Sequence, residues 1–153
     1  MRYILTLAAL VTGVAVARPS GIGLGVVIGE PTGISAKAWL SDNTAVDAGT
    51  AWSVSGGYQA LHVHADFLLH SFNVLPVDVG ELPIYYGVGG RIKLAGEVED
   101  QDLRIGVRVP VGISYIFDSF PADLFLEVAP VVDLVPSTRL GWNSGAGIRY
   151  YFQ

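Results

Sequence analysis

Residues 103–117, LRIGVRVPVGISYIF, hold one parity without a break. Leu103, Ile105, Val107, Val109, Val111, Ile113, Tyr115 and Phe117 share one face, and Arg104, Gly106, Arg108, Gly112 and Ser114 the other. A helix would scatter these residues around its circumference, whereas an extended strand sends them to two opposite sides. A strand this long must pair on both edges, so the rest of the chain has to supply neighbours.

It does so repeatedly. GIGLGVVIG sets Ile22, Leu24, Val26 and Ile28 against a face rich in glycine, and EPTG follows as a turn. GISAKAWL opposes Ile34, Ala36, Ala38 and Leu40 to Ser35, Lys37 and Trp39; after SDNT, AVDAGTAW opposes Val46, Ala48, Thr50 and Trp52 to Asp47, Gly49 and Ala51. LHVHADFLLH places Leu61, Val63, Ala65, Phe67 and Leu69 opposite His62, His64, Asp66 and His70. IYYGVGGRIKL, the 103–117 stretch, DLFLEVAPVVDL and WNSGAGIRYYF complete eight expected strands. Glu127 faces away from Leu124, Leu126 and Val128, and Arg149 away from Ile148, Tyr150 and Phe152. Most connections are short, so neighbours are antiparallel. Pro110 sits inside its strand without shifting parity, which predicts a missing ladder bond or a bulge.

The N-terminus is of another kind. Arg2 precedes an apolar run from Tyr3 to Val16, too short to span a bilayer as a helix. Ala15-Val16-Ala17 reads as a cleavage site, so residues 1–17 are expected to be a signal peptide and 18–153 the mature domain. The chain is 51% hydrophobic and only 15% charged, against roughly 25% in ordinary soluble domains. No later stretch is continuously apolar for the ~20 residues of a membrane helix. A net charge of −5 argues against nucleic acid as partner, and no cysteine is present to form disulfides.

Alternation alone does not say which face is inside. The second face carries glycines together with Lys37, Asp47, Asp66, Arg91, Lys93, Arg104, Arg108, Glu127 and Arg149, most of them far from strand ends. Small residues beside large ones suit a crowded interior, and a polar interior under an apolar exterior is the inside-out order of a transmembrane barrel. If the chain starts in the periplasm, Trp52 and Trp142 fall near the outer rim, and Tyr86, Tyr115, Phe117, Tyr150 and Phe152 near the inner one. These are the levels that aromatic girdles occupy. Trp39 points inward by parity and belongs to neither girdle.

The C-terminal GAGIRYYFQ resembles the terminal signature of bacterial outer-membrane β-barrels, with Gly147, Tyr150 and Phe152 at the matching spacing and Gln153 as a departure. The mature length and strand number are similar to the small OmpX/OmpA-type barrels. GVRVPVGISYIF and PIYYGVGGRI resemble segments of a family of small outer-membrane barrels without an assigned activity. The resemblance implies an all-β, eight-stranded antiparallel up-and-down barrel in the bacterial outer membrane. Its partners would be membrane lipid and, through the last strand, the barrel-assembly machinery. The resemblance bears on the class more than on any activity; the expected role is envelope-structural or surface-interacting, in a non-enzymatic monomer with no metal or other cofactor.

His62, His64, Asp66 and His70 then face a lumen about wide enough to be filled by side chains. His62 and His64 stand ~6.6–6.8 Å apart along the strand and reach one zinc ion only by bending toward it, with Asp47 of the neighbouring strand as further donor. The favoured reading is structural: Asp47, Asp66 and Glu127 pair with the lumenal Lys and Arg, and the histidines join as neutral hydrogen-bonding members. Three other readings compete: a narrow anion-preferring pore, a lipid-modifying enzyme using Ser53, Ser55 or Ser71 with a histidine, and a soluble lipocalin-like carrier. The acidic loop with Glu97, Glu99, Asp100 and Asp102 is the expected surface for an extracellular partner. The link at 71–82 carries Phe72, Val74, Leu75 and Val77, which predicts a strand extension or a flap at the barrel mouth.

Overall fold

The computed structural model describes residues 21–30, 32–55, 58–97 and 100–152, and among these the side chains of all but 30, 53–55, 58, 97, 100 and 101. The expected signal segment 1–17 and the start of the 18–153 unit lie outside the described residues. So do Glu99 and the side chains of Glu97 and Asp100 in the acidic loop.

Nine strands follow one another: β1 (Ile22–Glu30), β2 (Gly33–Trp39), β3 (Thr44–Ser55), β4 (Tyr58–Ser71), β5 (Ile84–Glu97), β6 (Asp100–Arg108), β7 (Val111–Ile116), β8 (Ala122–Val135) and β9 (Arg139–Phe152). All pairings are antiparallel, and β9 returns to β1 from Ile22↔Phe152 to Glu30↔Ser144, so the sheet closes into a ring. Among the described residues there is no helix.

The ring has eight staves, because β6 and β7 are two halves of one. Both halves lie between β5 and β8, and the register is the same on either side of the break: Gly89↔Arg108 and Tyr86↔Val111 toward β5, Arg108↔Val131 and Val111↔Val128 toward β8. The interruption is Val109–Pro110. The Pro110 carbonyl accepts from Gly87 N–H at 3.0 Å, and Pro130 of β8 accepts from Val109 N–H at 3.0 Å. Neither proline has an N–H to return the bond. The expected lost ladder bond is therefore doubled, once on each side of the stave. A separate register shift lies between Ile105 and Gly106.

The parity read from the sequence sorts inside from outside. Ile22, Leu24, Val26 and Ile28 are exposed on the outer wall, as are Leu103, Ile105, Val107, Val109 and Val111. Arg108 is 3% exposed, Lys37 and Arg149 1% each. A soluble carrier of the lipocalin kind has the reverse order, so that alternative does not fit.

Glycines make the polar interior possible. Each of four lumenal rings lies over the glycine that is its direct partner across the ladder: Tyr151 over Gly23, Tyr85 over Gly112, Phe125 over Gly147 and His64 over Gly49. A Cβ on Gly23 or Gly147 would come within 2.5 Å of the ring it faces, well inside van der Waals contact. In a ring this narrow these four rings are seated where one cross-strand neighbour has no side chain.

One end of the ring carries the turns at 40–43, 72–83 and 117–121 together with Gly21 and Phe152; the exposed Tyr86, Tyr150 and Phe152 lie toward it. Trp52 and Trp142 lie toward the opposite end, also exposed. The two aromatic levels are those expected. The 72–83 segment is not a strand extension beyond a single bridge, Glu81↔Ile116. Its Val74, Leu75, Val77 and Val79 are exposed, whereas Phe72 turns into the mouth, with its ring centroid 6.2 Å from Trp39 and from His70. Gly80 takes φ 75° in this segment, beside the carbonyl of Val79 to which Tyr115 Oη donates at 2.8 Å.

Two glycine substitutions separate packing from strand propensity. Gly112→Val drives a branched side chain into Tyr85 and the Leu126 carbonyl and is expected to abolish the folded form. Gly141→Val, where nothing lies within 4 Å of the new Cβ, should change stability by less than about 0.5 kcal/mol. The check is the fraction of each variant that runs as a compact, heat-sensitive band on a gel.

Candidate functional site in the barrel lumen

The inward faces of the staves gather their charges into adjacent clusters. On β9, Arg149 donates from Nε to Asp123 Oδ1 at 3.1 Å and from Nη1 to Ser35 Oγ at 3.4 Å. Its guanidinium also lies 4.0 Å from the centre of the Phe125 ring and 3.9 Å from Asp47 Oδ2. Tyr151 Oη donates to the second oxygen of Asp123 at 2.7 Å. Beside this group, Lys37 Nζ donates to His70 Nε2 at 2.8 Å and sits 4.4 Å over Trp39 and 5.4 Å from Tyr85. An ammonium has only donors, so the His70 proton is on Nδ1, which faces the Asn43 carbonyl at 3.3 Å.

A second cluster centres on Arg108. Its Nη2 donates to Glu127 Oε1 at 2.5 Å, and the other Glu127 oxygen accepts from Tyr85 Oη at 2.9 Å. Arg108 Nε lies 3.1 Å from Asp66 Oδ1 as an ion pair, but the N–H is not aimed at that oxygen. Arg91 grips Asp133 with Nη2 2.8 Å from both carboxylate oxygens. Asn143 Oδ1 stands 3.5 Å from Arg91 Nη1 and 3.5 Å from Arg108 Nη1, and so ties the two arginines together.

Most of the lumenal set anticipated from parity is here: Lys37, Asp47, Asp66, Arg91, Arg108, Glu127 and Arg149. Lys93 and Arg104 face each other in register and are only half-buried. Sequence reasoning missed Asp123 and Asp133, the partners of Arg149 and Arg91. It also missed the bridging Asn143, whereas parity does put Tyr85 and Tyr151 on the inner face, where the structure has them. The signal was available, since Asp123 and Asp133 share the parity of Glu127, but they bracket the expected strand and passed for its ends. Their presence matters for charge. Four basic residues (Lys37, Arg91, Arg108, Arg149) and four acidic ones (Asp47, Asp66, Asp123, Asp133) are buried in the lumen, so the expected basic excess shrinks.

Of the residues considered for zinc, the structure gathers a different trio. One carboxylate oxygen each from Asp47 and Asp66 and a ring nitrogen of His64 lie within 4.8 Å of one another; His62 is outside this group. For the lipid-modifying reading, both His70 nitrogens are engaged as described, and the side chains of Ser53 and Ser55 lie outside the described residues.

A closed antiparallel ring of this kind is also found among solved structures. Over 86% of this chain and 95% of its own length, the N-terminal β-barrel domain of Pseudomonas aeruginosa OprF superposes with a TM-score of 0.59 at 13% identity. The fold is that of the small outer-membrane barrels. Neisserial surface protein A matches it over 86% of this chain and 93% of its own, with a TM-score of 0.53 at 18% identity. No protein-family model matches the sequence, and no curated relative does.

Arg91 and Asp133 offer a test of how the interior is held. Asp133→Leu leaves a buried guanidinium without its carboxylate and should cost about 3–5 kcal/mol. Arg91→Met combined with Asp133→Leu should recover most of that loss, because an apolar pair needs no partner. Urea titration of the folded barrels in detergent reads both; a double variant as weak as the single would exclude the ion pair as the cause.

Proposed function

We propose that this protein is an integral barrel of the bacterial outer membrane with an envelope-structural or surface-interaction role and no enzymatic activity. The observation that carries the reading is the inside-out order: an outer wall of exposed Val, Ile and Leu around a lumen of paired charges. Such a wall is stable against hydrocarbon, and closure leaves no unpaired sheet edge within it. On this reading residues 1–17 are removed on export. The last strand, with Tyr150 and Phe152 on its outer face, is the segment that the assembly machinery reads. The barrel works as a monomer, and a partner outside the cell meets the acidic loop around Glu99 and Asp102.

Fractionation tests the placement. The protein should remain with outer membranes until detergent is added and should run faster on a gel unboiled than boiled. Recovery from the periplasm without detergent would sink the proposal.

The narrow-pore alternative meets a crowded interior. Arg149, Tyr151, Tyr85 and Lys37, all nearly inaccessible, occupy the lumen toward the end where the 72–83 segment lies. Planar-bilayer recordings of the purified barrel are expected to show no steps above the bare-bilayer current; discrete anion-selective steps would favour the pore instead.

A further inference from the structure

One part of the lumen is ion-paired yet short of hydrogen bonds. Asp66 is 3% exposed, yet neither of its carboxylate oxygens accepts a hydrogen bond, and Asp47 Oδ1 accepts none. The two residues are direct partners across β3 and β4, so both carboxyl groups project from the same point of the inner wall. His64, two residues before Asp66 on the same face, brings Nε2 to 3.9 Å from Asp66 Oδ2. Gly49, its partner across the ladder, makes room for the ring. Beside them lies a cavity of about 50 Å³, lined by Asp47, His62, His64, Arg91, Arg108 and Glu127 among others. It has room for a few water molecules. His62 is 7% exposed and lines the same cavity, and its Nδ1 is buried with no hydrogen-bond partner.

We propose that Asp47, His64 and Asp66 bind one divalent transition-metal ion, of the zinc class, inside the barrel. Two carboxylates and an imidazole are a ligand set that such ions accept, with water from the cavity completing the shell. Tetrahedral coordination at about 2.0–2.2 Å spaces ligand atoms roughly 3.4 Å apart. From a spacing within 4.8 Å the required closure is of the order of an ångström, which side-chain torsions supply. The arginines help to fix the ligands rather than fill the site. Arg149 approaches Asp47 through Oδ2, and Arg108 approaches Asp66 through Oδ1; on each carboxylate one oxygen is left to the metal. The positive charge of Arg108 beside the site lowers its affinity, and the two carboxylates offset the charge of the ion. His62 stands close enough along the strand to hold a metal-bound water.

The test uses the purified protein in detergent, freed of metal and shown to be folded by its gel shift, with ZnCl₂ or CoCl₂ as probe. Competition with a chromophoric chelator should give one zinc ion per chain, and cobalt should give the visible absorption of a four- or five-coordinate site. His64→Gln and Asp47→Asn, each checked for folding, should weaken binding by at least about tenfold, since removing a ligand costs no less than removing its supporting partner. Asp66→Asn is a third variant should either of these fail to fold. No uptake, or uptake unchanged in the folded variants as binding at the exposed acidic loop would give, overturns the proposal.

Discussion

The width of the closed ring governs this molecule. Eight staves enclose a space that side chains can just fill, so a large lumenal ring depends on what stands across the ladder from it. The four pairings of a ring with a glycine, Tyr151 with Gly23 among them, are the local form of that constraint. They also explain why the polar face is so rich in glycine, which would have no reason to gather on a face open to water. Once the large rings are seated, the remaining space falls to charged groups, and burial compels these to find one another.

The lumen is accordingly a core of unusual composition. In a soluble protein the apolar face supplies cohesion and the charges are spectators at the surface. Here the apolar face is turned outward, and the inward cohesion comes from directional contacts. Asp123 is shared between Arg149 and Tyr151, Glu127 between Arg108 and Tyr85, and Asn143 between Arg91 and Arg108. Because most members have two partners, loss of one group is felt on staves it does not touch.

The fold was legible in the sequence almost residue by residue, since a period of two fixes both the element type and the face of every side chain. The break at Val109–Pro110 was legible as chemistry, and its doubling by Pro130 was not, because that depends on which residues stand opposite each other across β6, β7 and β8. The site was legible as a population and not as a set of contacts. Parity placed His62, His64 and Asp66 inside, but strand pairing decided that Asp47 meets Asp66 directly and that His64, not His62, joins them. Asp123 and Asp133 were overlooked because strand ends cannot be told from strand interiors by pattern alone. The 72–83 segment, with no period to read, yielded least.

Pro110 and Pro130 stand on adjacent staves, and each lacks the amide that would answer its neighbour. Two carbonyls, of Gly87 and Val109, are therefore left without their ladder donors at the same height, on either side of a single stave. Beyond the register shift between Ile105 and Gly106, this is a second place where the β6 to β8 side of the hoop loses stitches, here two of them side by side. With two bonds gone at one height, this panel of the wall is held less tightly than a fully laddered one, however rigid the charged filling behind it.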